Sequence, residues 1–157
     1  MSVDWGILAR AVHVLAVVIW IGGLWLVTTV LLPGMKGKPP EEWRRDFDAL
    51  EPRFAPQARI AAILVLLSGL YMLYRYDLWD RFVQGAFWWM HLMLGVWLIF
   101  AALLFVIEPF IVRRNIQRHA AVAPEAMLAR MIWLHRVMLA LSLLAIFAAV
   151  AGSQGLF

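Results

Sequence analysis

The chain has 157 residues, 64% of them apolar and 15% charged, with a formal charge of +4 and a mean hydropathy of +0.81. A soluble domain runs nearer half apolar and a quarter charged, so an ordinary water-soluble globule is excluded: its core could not hide this much apolar surface, whereas a bilayer can. The absence of cysteine also excludes disulfide scaffolds, zinc-thiolate sites, iron–sulfur clusters and covalent c-type haem.

Four stretches reach the roughly 20 apolar residues that a membrane-crossing helix requires. They cover about 7–32, 58–74, 86–107 and 127–152. The first carries Asp4 and no basic leader, and no small-x-small cleavage site follows it, so it reads as a retained span rather than a signal peptide. Pro33-Gly34 closes it, and Pro109 follows the third span. Pro124 stands near the start of the fourth, where a missing N–H does little harm. Between the first two spans, Trp43, Phe47, Leu50 and Phe54 recur at helical spacing, which predicts a short amphipathic interfacial helix over about 41–54. The apolar runs are too long for barrel strands and do not alternate. The fold class expected is therefore all-α, an integral membrane four-helix up-down bundle forming one domain over 1–157.

Charge sets the expected orientation. Lys36, Lys38, Arg44, Arg45, Arg53 and Arg59 lie between spans one and two, and Arg113, Arg114, Arg118 and Arg130 between spans three and four. The opposite side has Arg10, Arg75 and Arg81. The positive-inside rule places both basic loops in the cytoplasm and both termini on the periplasmic side of a bacterial inner membrane. Trp5, Trp79, Trp88 and Trp89 then form an aromatic belt at the outer interface. Basic residues confined to such loops point to the bilayer as partner and not to nucleic acid.

Ionisable or ligating residues inside a span are costly and mark function. His13, His91 and His135 fall inside spans, and His119 sits in a basic loop as a solvated residue. At about 1.5 Å per residue, His13 lies about 10 Å outward of its span's midpoint and His91 about 8 Å. His135 lies about 7 Å inward, so it is out of level with the others by roughly 15 Å. Spans one and three are diagonal in an up-down bundle, so two level histidines there could take both axial positions of one haem b across the core. Gly22, Gly23, Ser68, Gly69 and Gly95 offer room for a flat ring, and Arg10, one turn outward of His13, offers a partner for a propionate. His135 is open to three roles: a hydrogen bond to a neighbouring helix, a place in a proton or electron path, or a further metal ligand. Glu108 reads as an interfacial carboxylate, with proton handling as its alternative. Copper would use the same histidines with Met90, Met93 and Met138, since thioether and imidazole suit Cu(I); methionines at helical spacing in a bilayer are more often filler.

The first span reads Ala11-Val12-His13-Val14-Leu15-Ala16-Val17-Val18-Ile19-Trp20-Ile21-Gly22-Gly23-Leu24. A histidine, a tryptophan seven residues on along the same helix face, then a small pair and leucine resembles the opening helix of HemJ-type protoporphyrinogen oxidases and of the related CopD-type copper-resistance membrane proteins. The likeness continues more weakly through Ser68-Gly69-Leu70 and the Trp-rich start of the third span. His91 stands where the HemJ type carries a lysine, and the fourth span opens Trp133-Leu134-His135-Arg136, unlike that family. The resemblance implies haem-linked redox chemistry with porphyrinogen or quinone as small-molecule partner. The expected function is thus a b-type haem membrane redox protein with His13, His91, Arg10, Trp20 and Gly95 around the cofactor and a possible homo-oligomeric state. A copper-handling membrane protein and a cofactor-free accessory subunit are the alternatives.

Overall fold

A computed structural model describes residues 4–112 and 124–157, with backbone alone at 40, 43, 44, 47, 108–112 and 124. Helix α1 spans Trp5–Leu26. Its start is capped by Asp4, whose carboxylate accepts from the Gly6 N–H at 2.8 Å and the Ile7 N–H at 3.4 Å, satisfying amides that the helix itself leaves unpaired. The helix widens into a π-helical turn at Val27–Leu31 and finishes at Leu32–Gly34. Pro33 lacks an N–H, and its ring crowds the carbonyl four residues back; the wider turn absorbs that conflict without ending the helix. Helix α2 spans Pro40–Arg75. Helix α3 spans Trp88–Ala101 and continues as a second π-helical segment, Ala102–Val112, which contains Pro109. Helix α4 spans Pro124–Ser153. There is no strand among the described residues.

The amphipathic stretch does not form a separate element. It is the first part of α2, which runs unbroken through Pro52 and Pro56. Packing explains the continuity: Leu50 joins Leu32, Met35, Leu128 and Ile132 in a cluster at the end of the bundle where α1 passes to α2, the loop end. The side chains of Trp43, Phe47 and Glu108, and all of Arg113, Arg114, Arg118 and His119, lie outside the described residues.

At the opposite end α2 stops with Asp77 in the left-handed region (φ 50°), while the Leu78 N–H bonds the Leu73 carbonyl at 3.0 Å. Two 3-10 turns, Trp79–Val83 and Gly85–Phe87, lead into α3. This is the turn end. Trp89, Met90 and Ala148 are buried there together, and Trp89 lies so close to Gly152 that a Cβ would fall 2.3 Å from its indole. The middle of the bundle is Trp20 and Ile21 of α1, Ala61 and Ala62 of α2, Val96 and Phe100 of α3, and Met138, Leu139 and Ala145 of α4. Trp97 Nε1 donates to the Ala62 carbonyl at 3.0 Å, and Arg59 Nε donates to the Leu104 carbonyl at 3.2 Å, tying α2 to α3 and its π-helical extension.

Each of the four units is long and apolar enough to cross a membrane: Trp5–Gly34, Asp48–Arg75, Gly85–Ile107 and Glu125–Ser153. Between 17% and 28% of the most apolar window of each is buried inside the bundle. Much of the rest, including Leu15, Val18, Ile60 and Phe147, faces outward. Apolar faces of this extent need lipid, and the architecture is that of a multi-pass membrane protein.

Candidate functional site

The contact between Trp20 and Phe100 fixes the heights of α1 and α3. The two rings meet edge to face with centroids 4.7 Å apart, and both residues are buried. His13 precedes Trp20 by seven residues and His91 precedes Phe100 by nine, on helices running in the same direction. The two histidines therefore differ in height by about 3 Å.

His13 is half-buried against α2. Its Nδ1 lies 3.0 Å from Ser68 Oγ, and its Cε1 sits 3.5 Å from where a Cβ on Gly69 would be. Ser68 and Gly69, expected to clear space for a flat ring, instead receive the histidine. The hydrogen bonds favour one tautomer. The Ser68 hydroxyl has one proton, and it is donated to carbonyls of its own helix, Leu64 O with Val65 O at 3.2 Å. With that proton on the carbonyls, Ser68 Oγ accepts from the imidazole, an arrangement that suits a ring proton on Nδ1, and the Val65 backbone is a second partner of the ring. That is the state a metal-binding histidine needs, with the second nitrogen held by a hydrogen bond.

His91 stands differently. It is exposed, while its neighbours Trp89 and Met90 are buried. At about 100° per residue, His91 lies about 140–180° around α3 from Trp89, Val96 and Phe100, which form the buried stripe. Phe82, edge to face at 5.4 Å, is its ring neighbour. Level histidines are present, but they do not face one another across the core, because His91 is on the outward side of its helix. Gly95, one turn on and on that same side, has no atom within 4 Å of a built Cβ. Gly22 and Gly23 are equally open.

Trp20 is a core residue whose indole packs on Phe100. The Arg10 guanidinium lies 5.8 Å from the Tyr76 ring centroid, beside the close approach of Gly6 to that tyrosine. Its partner is an aromatic face at the end of α2, which the sequence does not announce. His135 is half-buried, and its Nδ1 donates to the Met131 carbonyl of its own helix at 2.9 Å, not to a neighbouring helix. That bond also leaves Nε2 as an acceptor. Because Ala148 packs at the level of Trp89 and Met90, His135 lies about 20 Å from the height of His91. The thioethers beside His91 do not share its surroundings: Met90 is buried and His91 is exposed. Among the described residues, no three His, Asp or Glu side chains gather into a metal-binding group.

Three partners were missed from the sequence: Ser68 as the acceptor for His13, Tyr76 for Arg10 and Phe100 for Trp20. Only Ser68 carried a signal, being a hydroxyl inside an otherwise apolar run. Compared with known proteins, the chain matches no family model, no curated protein and no solved structure.

Proposed function

We propose that this chain is a multi-pass protein of the bacterial inner membrane that holds haem b on His13 and serves membrane redox chemistry, either electron transfer or oxidation of a porphyrinogen or quinol, as its HemJ-type resemblance implies. The observation that carries the reading is the state of His13. It is a histidine inside a span whose Nδ1 lies at hydrogen-bond distance from Ser68, with the Val65 backbone as a further partner, an arrangement that suits an Nδ1–H tautomer with Nε2 as the ligating atom. A neutral imidazole with one nitrogen locked is a costly feature to keep in a hydrocarbon-spanning helix unless the other nitrogen has a ligand. Bound haem supplies a one-electron couple. His13 would hold such a group through Nε2, and His91, on the outward face of α3, is not placed to join it within a single bundle. Ser68 orients the imidazole, Gly69 leaves room for its edge, and Trp20 with Phe100 keeps α1 and α3 in register below it. In this reading the basic loops lie in the cytoplasm and the chain ends on the periplasmic side.

The test is a visible spectrum and pyridine haemochrome assay on the full chain purified from haem-replete cells. A Soret band that disappears in His13→Ala is the expected result. A colourless wild-type protein, or one that carries stoichiometric copper and no haem, contradicts the proposal.

A further inference from the structure

A second feature lies far from His13, where the π-helical turn of α1 meets α4. A groove of about 360 Å³ runs there, with Arg136, Leu139, Ala140 and Leu143 along one wall and Thr28 and Thr29 along the other. The α4 positions follow helical spacing, so the wall is a single stripe about 10 Å long, cationic at its loop end and apolar beyond. Pro33 also lines the groove, and the widened turn before it spreads the α1 face.

The polar groups of the groove are unequal. Thr28 Oγ1 donates to the Leu24 carbonyl at 2.6 Å and Thr29 Oγ1 to the Trp25 carbonyl at 2.8 Å, so their protons are spent within α1. Arg136 is exposed, and no carboxylate pairs with it among the described residues, where the recorded ion pair is Lys38–Asp46. The groove therefore presents one strong donor group, a planar guanidinium that grips phosphate or carboxylate oxygens two at a time. Its depth is also informative. The uncharged run from 137 to 152 is about 24 Å long and the hydrocarbon about 30 Å thick, so Arg136 begins about one turn inside the loop-end boundary and can extend its head to it. In the sequence, the segments 33–59 and 108–130 at that end carry ten lysines and arginines against seven carboxylates, a modest cationic excess that favours acidic lipid around it.

A cation at the interface followed by an apolar trough toward the membrane centre has the polarity of a lipid. We infer that this groove is a binding site for an acidic phospholipid, with its phosphate on Arg136 and the start of an acyl chain along Leu139, Ala140 and Leu143. Occupancy of this site is independent of haem at His13.

Native mass spectrometry of the full chain in detergent tests this. The probes are phosphatidylglycerol, phosphatidylcholine and inorganic phosphate. The expected result is a phosphatidylglycerol adduct retained in preference to phosphatidylcholine and not displaced by inorganic phosphate. Arg136→Gln weakens it about tenfold, as loss of a charge-assisted pair requires, while Arg136→Lys keeps part of it and Arg130→Gln leaves it unchanged. Ala140→Leu fills the exposed trough without touching the charge and weakens the adduct too, which keeps the test decisive if Arg136→Gln does not fold. Retention unaffected by Ala140→Leu, equal retention of phosphatidylcholine, or displacement by inorganic phosphate overturns the inference.

Discussion

His13 and His91 share a height and little else. His13 is wedged between α1 and α2, with one nitrogen bonded to Ser68 and Gly69 against its edge. His91 faces outward from α3, touched by Phe82 and followed by an open glycine. The difference teaches that depth in a membrane does not make a site. A ligating histidine also needs its second nitrogen held and its ring clamped, and one of the two has both.

The largest effect that tests this contrast is His13→Ala, which should reduce bound haem below detection while the helices still form, measured by haemochrome assay beside circular dichroism. Next come the two glycines. Gly69→Leu places bulk against the His13 ring and should destabilise the bundle by about 1–3 kcal/mol, as overpacking does. Gly95→Ala meets no neighbour and should instead raise stability by about 0.5–1 kcal/mol through helix propensity. Thermal unfolding in detergent reads both, and a Gly95→Ala as costly as Gly69→Leu would show that the α3 face is packed. Ser68→Ala should weaken haem binding at least tenfold, about 1.4 kcal/mol, with Ser68→Thr restoring it. Nitrogen-15 NMR of the haem-free chain checks the cause independently: His13 should carry its proton on Nδ1 in the wild type and lose that preference in Ser68→Ala. The smallest effect belongs to His91→Ala, within about 0.5 kcal/mol in stability, as for an exposed position whose ring contact is the half-exposed Phe82.

Much of the fold was legible in the apolar runs. The spans read as 7–32, 86–107 and 127–152 fall within Trp5–Gly34, Gly85–Ile107 and Glu125–Ser153. The second began earlier, because Leu50 packing carries the helix through two prolines that locally argue for a break. Height along each helix was legible too, since rise per residue is constant. Azimuth was not. A helix in lipid is apolar all round, so the usual stripe that separates an inner from an outer face is absent. The buried face of α3 comes from its fit to Trp20 and Ala148, on other helices, and no pattern near His91 encodes it. Arg10 shows the same limit: its distance along α1 was readable, but the Tyr76 ring beneath it depends on how α2 ends at Asp77.

The central claim is that, of the two level histidines, His13 is the one prepared to ligate. The measurement that reaches it most directly is haem content per chain in His13→Ala and His91→Ala, purified side by side with the wild type. Haem retained by the wild type and His91→Ala and lost from His13→Ala is the predicted result. Haem lost equally from both variants, or absent from all three proteins, contradicts it.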